Sequence, residues 1–298
     1  MVLASENLRS ISPLAESLSL ASRKSAERSP EERLQDTFSA VLSQVGREGY
    51  QSATATESDS NLNEGVVSSW EDWFDSIAPS RYSFMFGPDS PSVQEGSSPD
   101  SLKQEFGKII SDAYRNGGYA TPQKYLQSLS PDQLATIQQV QHLADPIRVE
   151  QLTDESSLNL LLPPDTQVDS NHDGLTAVGA AYTLRFPDSN TPENVRRAWE
   201  QATENLSEAD RMTYVLQMTL PITLANIHTD SSGAYTGSSN PGDPDWMNPM
   251  ANSDYSYRDS ANGWLDYLDR FKNQIPLEQY ERDLRFWSTF RDSLEKIG

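Results

Sequence analysis

The chain is predicted to be mainly α-helical, an irregular helical domain with long loops and at most a short strand pair. Three observations support this class. Helix-start signals recur, with Ser or Thr followed by Pro and then an acidic or amide residue. Behind each start, apolar residues return at three- and four-residue steps. Strand signals are scarce: Tyr182-Thr183-Leu184-Arg185-Phe186 alternates ahead of Pro187 and is the one short strand expected.

The elements follow in order. Residues 1–28 carry Ala4, Leu8, Ile11, Ala15 and Leu18 at helical spacing, broken by Pro13, and read as an N-terminal arm without a stable fold of its own. Ser29-Pro30-Glu31-Glu32 opens a helix with Leu34, Phe38, Val41 and Leu42 on one face. Ser98-Pro99-Asp100 precedes a stripe of Leu102, Phe106, Ile109, Ile110 and Ala113. Thr121-Pro122, Ser130-Pro131, Thr191-Pro192-Glu193 and Ser207-Glu208 open four more helices, and Asp154–Leu162 reads as another, ended by Pro163-Pro164. The last helix is marked by Leu277, Tyr280, Leu284, Trp287, Phe290 and Leu294. The intervals between starts are irregular, so no solenoid is expected.

This reading divides the chain into residues 1–50 (arm plus one amphipathic helix), 51–98 (an acidic Ser/Gly/Pro-rich linker) and 99–298 (the helical domain). Between Gln51 and Asp100 nine acidic residues stand against one basic residue, Arg81. Such a stretch does not bury enough apolar surface to fold alone. It nevertheless contains Trp70, Trp73, Phe74 and Ile77 at i, i+3, i+4 and i+7, which places all four on one face of a short helix, with Ser68 and Glu71 available as a capping box. Two tryptophans on such a helix need a groove. Either the helix latches onto its own domain, or Trp70, Trp73, Phe74 and Ile77 dock to a protein partner.

Composition bounds the function classes. The net charge is −21, a field that repels phosphate backbones, so no nucleic acid partner is expected. No apolar run approaches the length of a membrane-spanning helix, so no membrane association is expected. The chain has no cysteine, which removes disulfides, thiol catalysis and cysteine-ligated metals. The only histidines are His142, His172 and His228, far apart in sequence. Glycine-rich phosphate loops and a G-x-S-x-G elbow are absent. His228-Thr229-Asp230-Ser231-Ser232 sets a His, an Asp and serines side by side, but adjacency in sequence is not triad geometry. The irregular zone 231–260 holds aromatics with Asp243, Asp245 and Asp254, which makes it the place to look for a hydrolase-like site.

One segment carries specific chemistry. Asp169-Ser170-Asn171-His172-Asp173-Gly174-Leu175 places three side-chain oxygen donors at alternate positions ahead of a glycine that allows a sharp reversal. The run resembles the start of an EF-hand or dockerin calcium loop, over residues 169–180 only. The resemblance implies calcium ligation by the side chains of Asp169, Asn171 and Asp173 and by the backbone carbonyl of Leu175. Two positions depart from the family pattern: Ala177 at the ninth and Ala180 at the twelfth, where the family carries a carboxylate. Asp165, Asp188 or extra water is expected to complete the shell, and affinity is expected to be weak, about 10⁻⁴ to 10⁻³ M. The other reading of the run is an Asx-rich turn that needs glycine for positive φ.

The sequence therefore points to a non-enzymatic binding or accessory protein with a weak structural calcium loop. The alternatives are a hydrolase-like enzyme with its site under residues 231–260, and a leaderless exported or secretion-linked protein recognised through residues 1–50. The default compartment is the cytoplasm.

Overall fold

The computed structural model describes residues 28–54, 62–81 and 98–297. The arm expected within residues 1–27 lies outside the described residues. The architecture is mainly α, with two short antiparallel strand pairs where at most one was expected. Among the described residues no helix is long and apolar enough to cross a membrane.

Two hydrophobic cores follow one another along the chain. The first is built by α1 (Pro30–Gln44), α2 (Leu62–Ser76), α3 (Ala78–Arg81), α4 (Pro99–Arg115), α5 (Pro122–Gln127), α6 (Pro131–Val140) and α7 (Asp154–Leu161). The local rules hold at the serine starts, whereas Thr121 makes no side-chain cap bond and the cap position before Glu193 is Pro192, not Thr191. Ser29 and Glu32 form a capping box on α1, as do Ser130 and Gln133 on α6, and Ser98 accepts from the Ser101 amide at the start of α4. Each start also has proline in its first turn, where a missing N–H costs nothing.

The aromatic helix is longer than expected, and its apolar face packs on the chain's own core, the first of the two alternatives. It begins at Leu62, not at Ser68, because Val66 and Leu62 continue the apolar stripe one and two turns upstream of Trp70. Ser68 is inside the helix, with its hydroxyl donating to the Gly65 carbonyl at 3.4 Å. Trp70 and Trp73 have no solvent exposure and Phe74 has 4%. Their face packs within the first core against α1 and α4. Trp70 stacks on Trp73, meets Phe106 edge-on, and donates its indole N–H to the Lys103 carbonyl at 2.9 Å. Trp73 donates to Asp165 at 3.1 Å. Asp165 also holds Arg81 at 2.8 Å, and Glu31 meets the same guanidinium nitrogen at 2.7 Å. Residues from 1–50, 51–98 and 99–178 thus share one core, so hydrophobic packing does not follow the expected boundary at residue 98.

The second core is formed by α8 (Glu193–Thr203), α9 (Glu208–Ala225), α10 (Tyr257–Phe271) and α11 (Leu277–Ile297). Trp199, Tyr214, Phe286, Trp287 and Phe290 are buried at its centre. The Tyr214 ring stacks on Phe286 and its hydroxyl donates to Asp283 at 2.7 Å. Of the two strand pairs, the first contributes Val178 to the first core. β1 (Thr176–Val178) pairs with β2 (Ala181–Thr183), the paired part of the expected strand. β3 (Ile227–Thr229) pairs with β4 (Tyr235–Ser238), which puts a hairpin into the zone read as irregular.

Replacing Trp73 by Ala leaves a cavity beneath α2 and removes the indole donor from Asp165. We expect a loss of about 3–5 kcal/mol in urea unfolding followed by far-ultraviolet circular dichroism. A loss below about 1 kcal/mol would show that this face is not part of the core.

Candidate functional site

The Asp169–Leu175 run forms a single turn between the two cores. It is held from below by one face of α7. Asn159, fully buried, donates to the Val168 and Ala177 carbonyls at 2.8 Å each and accepts from the Val168 amide at 2.8 Å, so it staples the chain entering the turn to the chain leaving it. One turn earlier, Glu155 accepts from the Ser170 amide, the Ser170 hydroxyl and the Ala177 amide at 2.9–3.0 Å. Neither residue was singled out in the sequence. The available signal was two polar residues four apart in a helix otherwise rich in leucine.

Within the turn the three expected donors do come together. Asp169, 2% exposed, accepts from the Asp173 amide at 3.1 Å and the Gly174 amide at 2.9 Å. Asn171 accepts from the Asp173 amide at 3.0 Å and donates to the Asp173 carboxylate at 2.9 Å. Asp173 accepts from the Leu175 amide at 2.8 Å. These side-chain oxygens therefore engage the loop's own amides. Gly174 has φ +84°, as the reversal requires, and the Leu175 side chain is buried.

Neighbouring carboxylates fall into two groups. Asp165, one of the two expected substitutes for the missing ligand, is committed to Trp73 and Arg81 in the first core and does not belong to the turn. Asp188 is close enough to repel Asp169, although its own oxygen accepts from the Thr191 hydroxyl at 2.6 Å and the Asn190 amide at 3.0 Å. Burial pushes the Asp169 carboxyl up to about 7, opposed by the Gly174 amide and reinforced by Asp173, Glu155 and Asp188. Burial also raises Glu155 and Asp188. Among the described residues no group of three or more His, Asp or Glu side chains is arranged to hold a metal ion.

The turn is also where the second core attaches. Asp169 donates its amide to the Ser189 hydroxyl at 3.0 Å and accepts from the Asn190 side chain at 2.9 Å through its carbonyl. The Trp246 indole donates to the Asp173 carbonyl at 2.9 Å, and the Asn248 side chain donates to the His172 carbonyl at 3.0 Å. A β-carbon at Gly174 would lie 2.6 Å from Ile222 of α9 and 3.0 Å from Asn248. Beside these contacts, the Arg196 guanidinium lies over the Tyr50 ring at 5.1 Å.

A polar cavity of about 370 Å³ opens next to the turn, beneath residues 248–257, with His172, Arg185, Asp188, Asn190, Asn252 and Tyr257 on its walls. Among the described residues Asp188 is the one carboxylate lining it, whereas glycoside hydrolysis uses a pair. The hairpin residues near it do not make a relay either. His228 Nε2 lies 2.8 Å from the Ser239 hydroxyl and 3.5 Å from Asp245, so one ring nitrogen serves both, whereas a triad uses the two nitrogens separately. Asp230 accepts from the Ser232 and Ala234 amides and closes the hairpin turn.

A second surface went unrecognised in the sequence. On α9, Tyr214, Met218 and Ile222 are buried in the second core, while Met212, Leu216, Leu220 and Leu224 are 58%, 59%, 36% and 56% exposed. The two rows are two residues out of phase, about 200° apart around the helix. Beside the exposed row an apolar groove of about 470 Å³ runs between α9 and α10, lined by Leu220, Pro221, Leu224, Gly263, Trp264 and Tyr267. Trp264 is held as a wall by stacking on the buried Trp287. Apolar residues surround α9, so periodicity could not say which row the fold would cover.

Comparison with known proteins returns no matching family model, no matching curated protein and no matching solved structure.

Replacing Gly174 by Ala imposes positive φ on a residue with a β-carbon and drives that carbon against Ile222. We expect a loss of about 3 kcal/mol in urea unfolding. A loss under about 1 kcal/mol would show that the junction between the cores yields readily.

Proposed function

We propose that this chain is a non-enzymatic binding or accessory protein that engages its partner through the groove between α9 and α10. The observation that carries the reading is the uncovered apolar row Met212, Leu216, Leu220 and Leu224 on a helix whose opposite row is core. A helix apolar all round is ordinarily covered on both sides. Contiguous exposed apolar surface with polar surroundings marks interaction sites. The cavity under residues 248–257 favours the hydrolase alternative less, because among the described residues its wall carries Asp188 without a second carboxylate. Recognition through residues 1–50 would rest on residues 1–27, since the apolar face of α1 is buried in the first core. Docking through Trp70, Trp73, Phe74 and Ile77 would require α2 to leave that core first.

The reading keeps calcium as a structural ion at the Asp169–Gly174 turn, ligated by Asp169, Asn171, Asp173 and the Leu175 carbonyl. What supports it is the convergence of the three donor side chains on one turn, with the carboxylates of Glu155 and Asp188 close by. A divalent cation would relieve their mutual repulsion. Ala177 and Ala180 supply no side-chain oxygen, so the ion would bind weakly.

Two measurements test these statements. Millimolar calcium is expected to raise the melting temperature relative to chelator, with the increment lost in Asp173→Ala. Identical melting curves in calcium and chelator would remove the ion from the proposal. The neutral dye Nile red is expected to brighten on binding the wild-type groove and to stay dark with Leu220→Lys, at unchanged melting temperature. Uptake that is absent, or equal in both proteins, would refute the groove as a binding surface.

A further inference from the structure

We infer that the groove between α9 and α10 takes a cationic amphipathic helix; the inference rests on the binding reading above and names its partner. The shape argument comes from the spacing of the exposed row. Met212, Leu216, Leu220 and Leu224 stand four residues apart, which makes one continuous ridge about 18 Å long. A ridge with a parallel groove beside it is what a second helix packs against, its own apolar row dropping between Leu220, Leu224, Trp264 and Tyr267. Gly263 contributes to this fit, because a β-carbon placed there would meet nothing within 4 Å. The floor of the groove on the α10 side is therefore open to an incoming side chain.

The charge argument fixes the sign of the partner. From Met212 to Ala225 the helix carries no charged residue. At its C-terminal end the surface becomes acidic. Residues 226–257 contain Asp230, Asp243, Asp245 and Asp254 and no Lys or Arg. The Asn226 side chain binds Met247 through both its amide and its carbonyl, at 2.9 and 2.8 Å, and so holds Asp245 beside the end of α9. Ile227 and Met247, 39% and 54% exposed, extend the apolar surface to the same place. The negative end of the α9 dipole adds to the field there. On the other wall α10 exposes Asp259, Asp266 and Asp269 together with Arg270 and with Arg258, which pairs with Glu295. A helix with leucine-like residues on one face and lysine or arginine flanking it, concentrated toward the end of α9, matches both patterns. A second copy of this chain would bring another −21 charges to the same surface.

The test is a titration of the full chain against a fluorescein-labelled peptide of about 18 residues, with leucine at helical spacing and lysine elsewhere, read by anisotropy. The controls are a peptide of the same composition with leucine and lysine alternating, and a leucine–glutamate helix. We expect saturable one-to-one binding with a dissociation constant on the order of micromolar, at least tenfold weaker for both controls and weakening with added salt. The variant Gly263→Leu fills the groove while replacing a glycine in mid-helix. It is expected to weaken binding at least tenfold with the melting temperature unchanged or raised. Combined Asp243→Asn, Asp245→Asn and Asp254→Asn is expected to weaken binding several-fold and to flatten the salt dependence. The inference is overturned by failure to saturate, by equal affinity for the leucine–glutamate helix, or by full affinity in Gly263→Leu. It is also overturned if sedimentation shows a dimer that Leu216→Lys dissociates, because the occupant is then a second copy. Nile red uptake without peptide binding would remove the cationic helix and leave the binding reading intact.

Discussion

Asp169 accepts two backbone amides of its own loop while buried between two hydrophobic cores, and the arrangement of the second core depends on that turn. The Gly174 amide points inward and is buried, the Asp173 amide is part-buried beside it, and a buried amide left without a partner would cost free energy. Asp169 satisfies both, and the reversal it stabilises sends the chain into β1 and presents the carbonyls of His172 and Asp173 outward. Those carbonyls receive Asn248 and Trp246, and the Asp169 backbone receives Ser189 and Asn190. The loop that follows α9 and the stretch leading into α8 are thereby tied to the first core, and the Gln51 amide adds a second tie to the Ser189 carbonyl at 2.9 Å.

The same place concentrates negative charge in low dielectric. Glu155, Asp169 and Asp188 are each pushed upward chiefly by burial, and each is opposed by hydrogen bonds from nearby amides and hydroxyls. Fixed dipoles of these amides and hydroxyls offset part of the burial cost. That accounts for how a chain of net charge −21 keeps acids in its interior, and it explains why the turn is sensitive to its exact backbone geometry. The amides must be aimed, so glycine is needed at position 174 and a buried asparagine at 159 to hold the approach.

The consequences for α9 are indirect. Ile222 packs against Gly174, and Asn226 at the helix end holds Met247. With these contacts fixed, α9 has one rotational setting about its axis, with Tyr214, Met218 and Ile222 inward. The row displaced by about 200° then faces solvent. The groove is thus a by-product of how the junction is closed, with Trp264 and Tyr267 of α10 supplying its opposite wall.

Much of the secondary structure was readable from local chemistry. Ser29, Ser98 and Ser130 each accept an amide of the first helical turn, and proline at the next position needs no partner, so these starts do not depend on tertiary context. Asp169, Asn171, Asp173 and Gly174 were readable as a turn for the same reason, since every bond among them spans five residues or fewer. What the sequence could not show depends on pairings over long separations. Asp165 was expected near the turn, yet Trp73 and Arg81, more than eighty residues earlier, claim it. Residues 62–81 read as part of a linker because their acids dominate the composition, but the face that matters carries Val66, Trp70 and Trp73, and α1 and α4 cover it. On α9 both apolar rows look alike in sequence; only packing against α11 and the Gly174 turn decides which is core and which is surface. Capping, periodicity and turn chemistry are short-range and were determined by the sequence alone. Which face is buried, and which carboxylate meets which cation, is set by contacts that exist only once the two cores have closed.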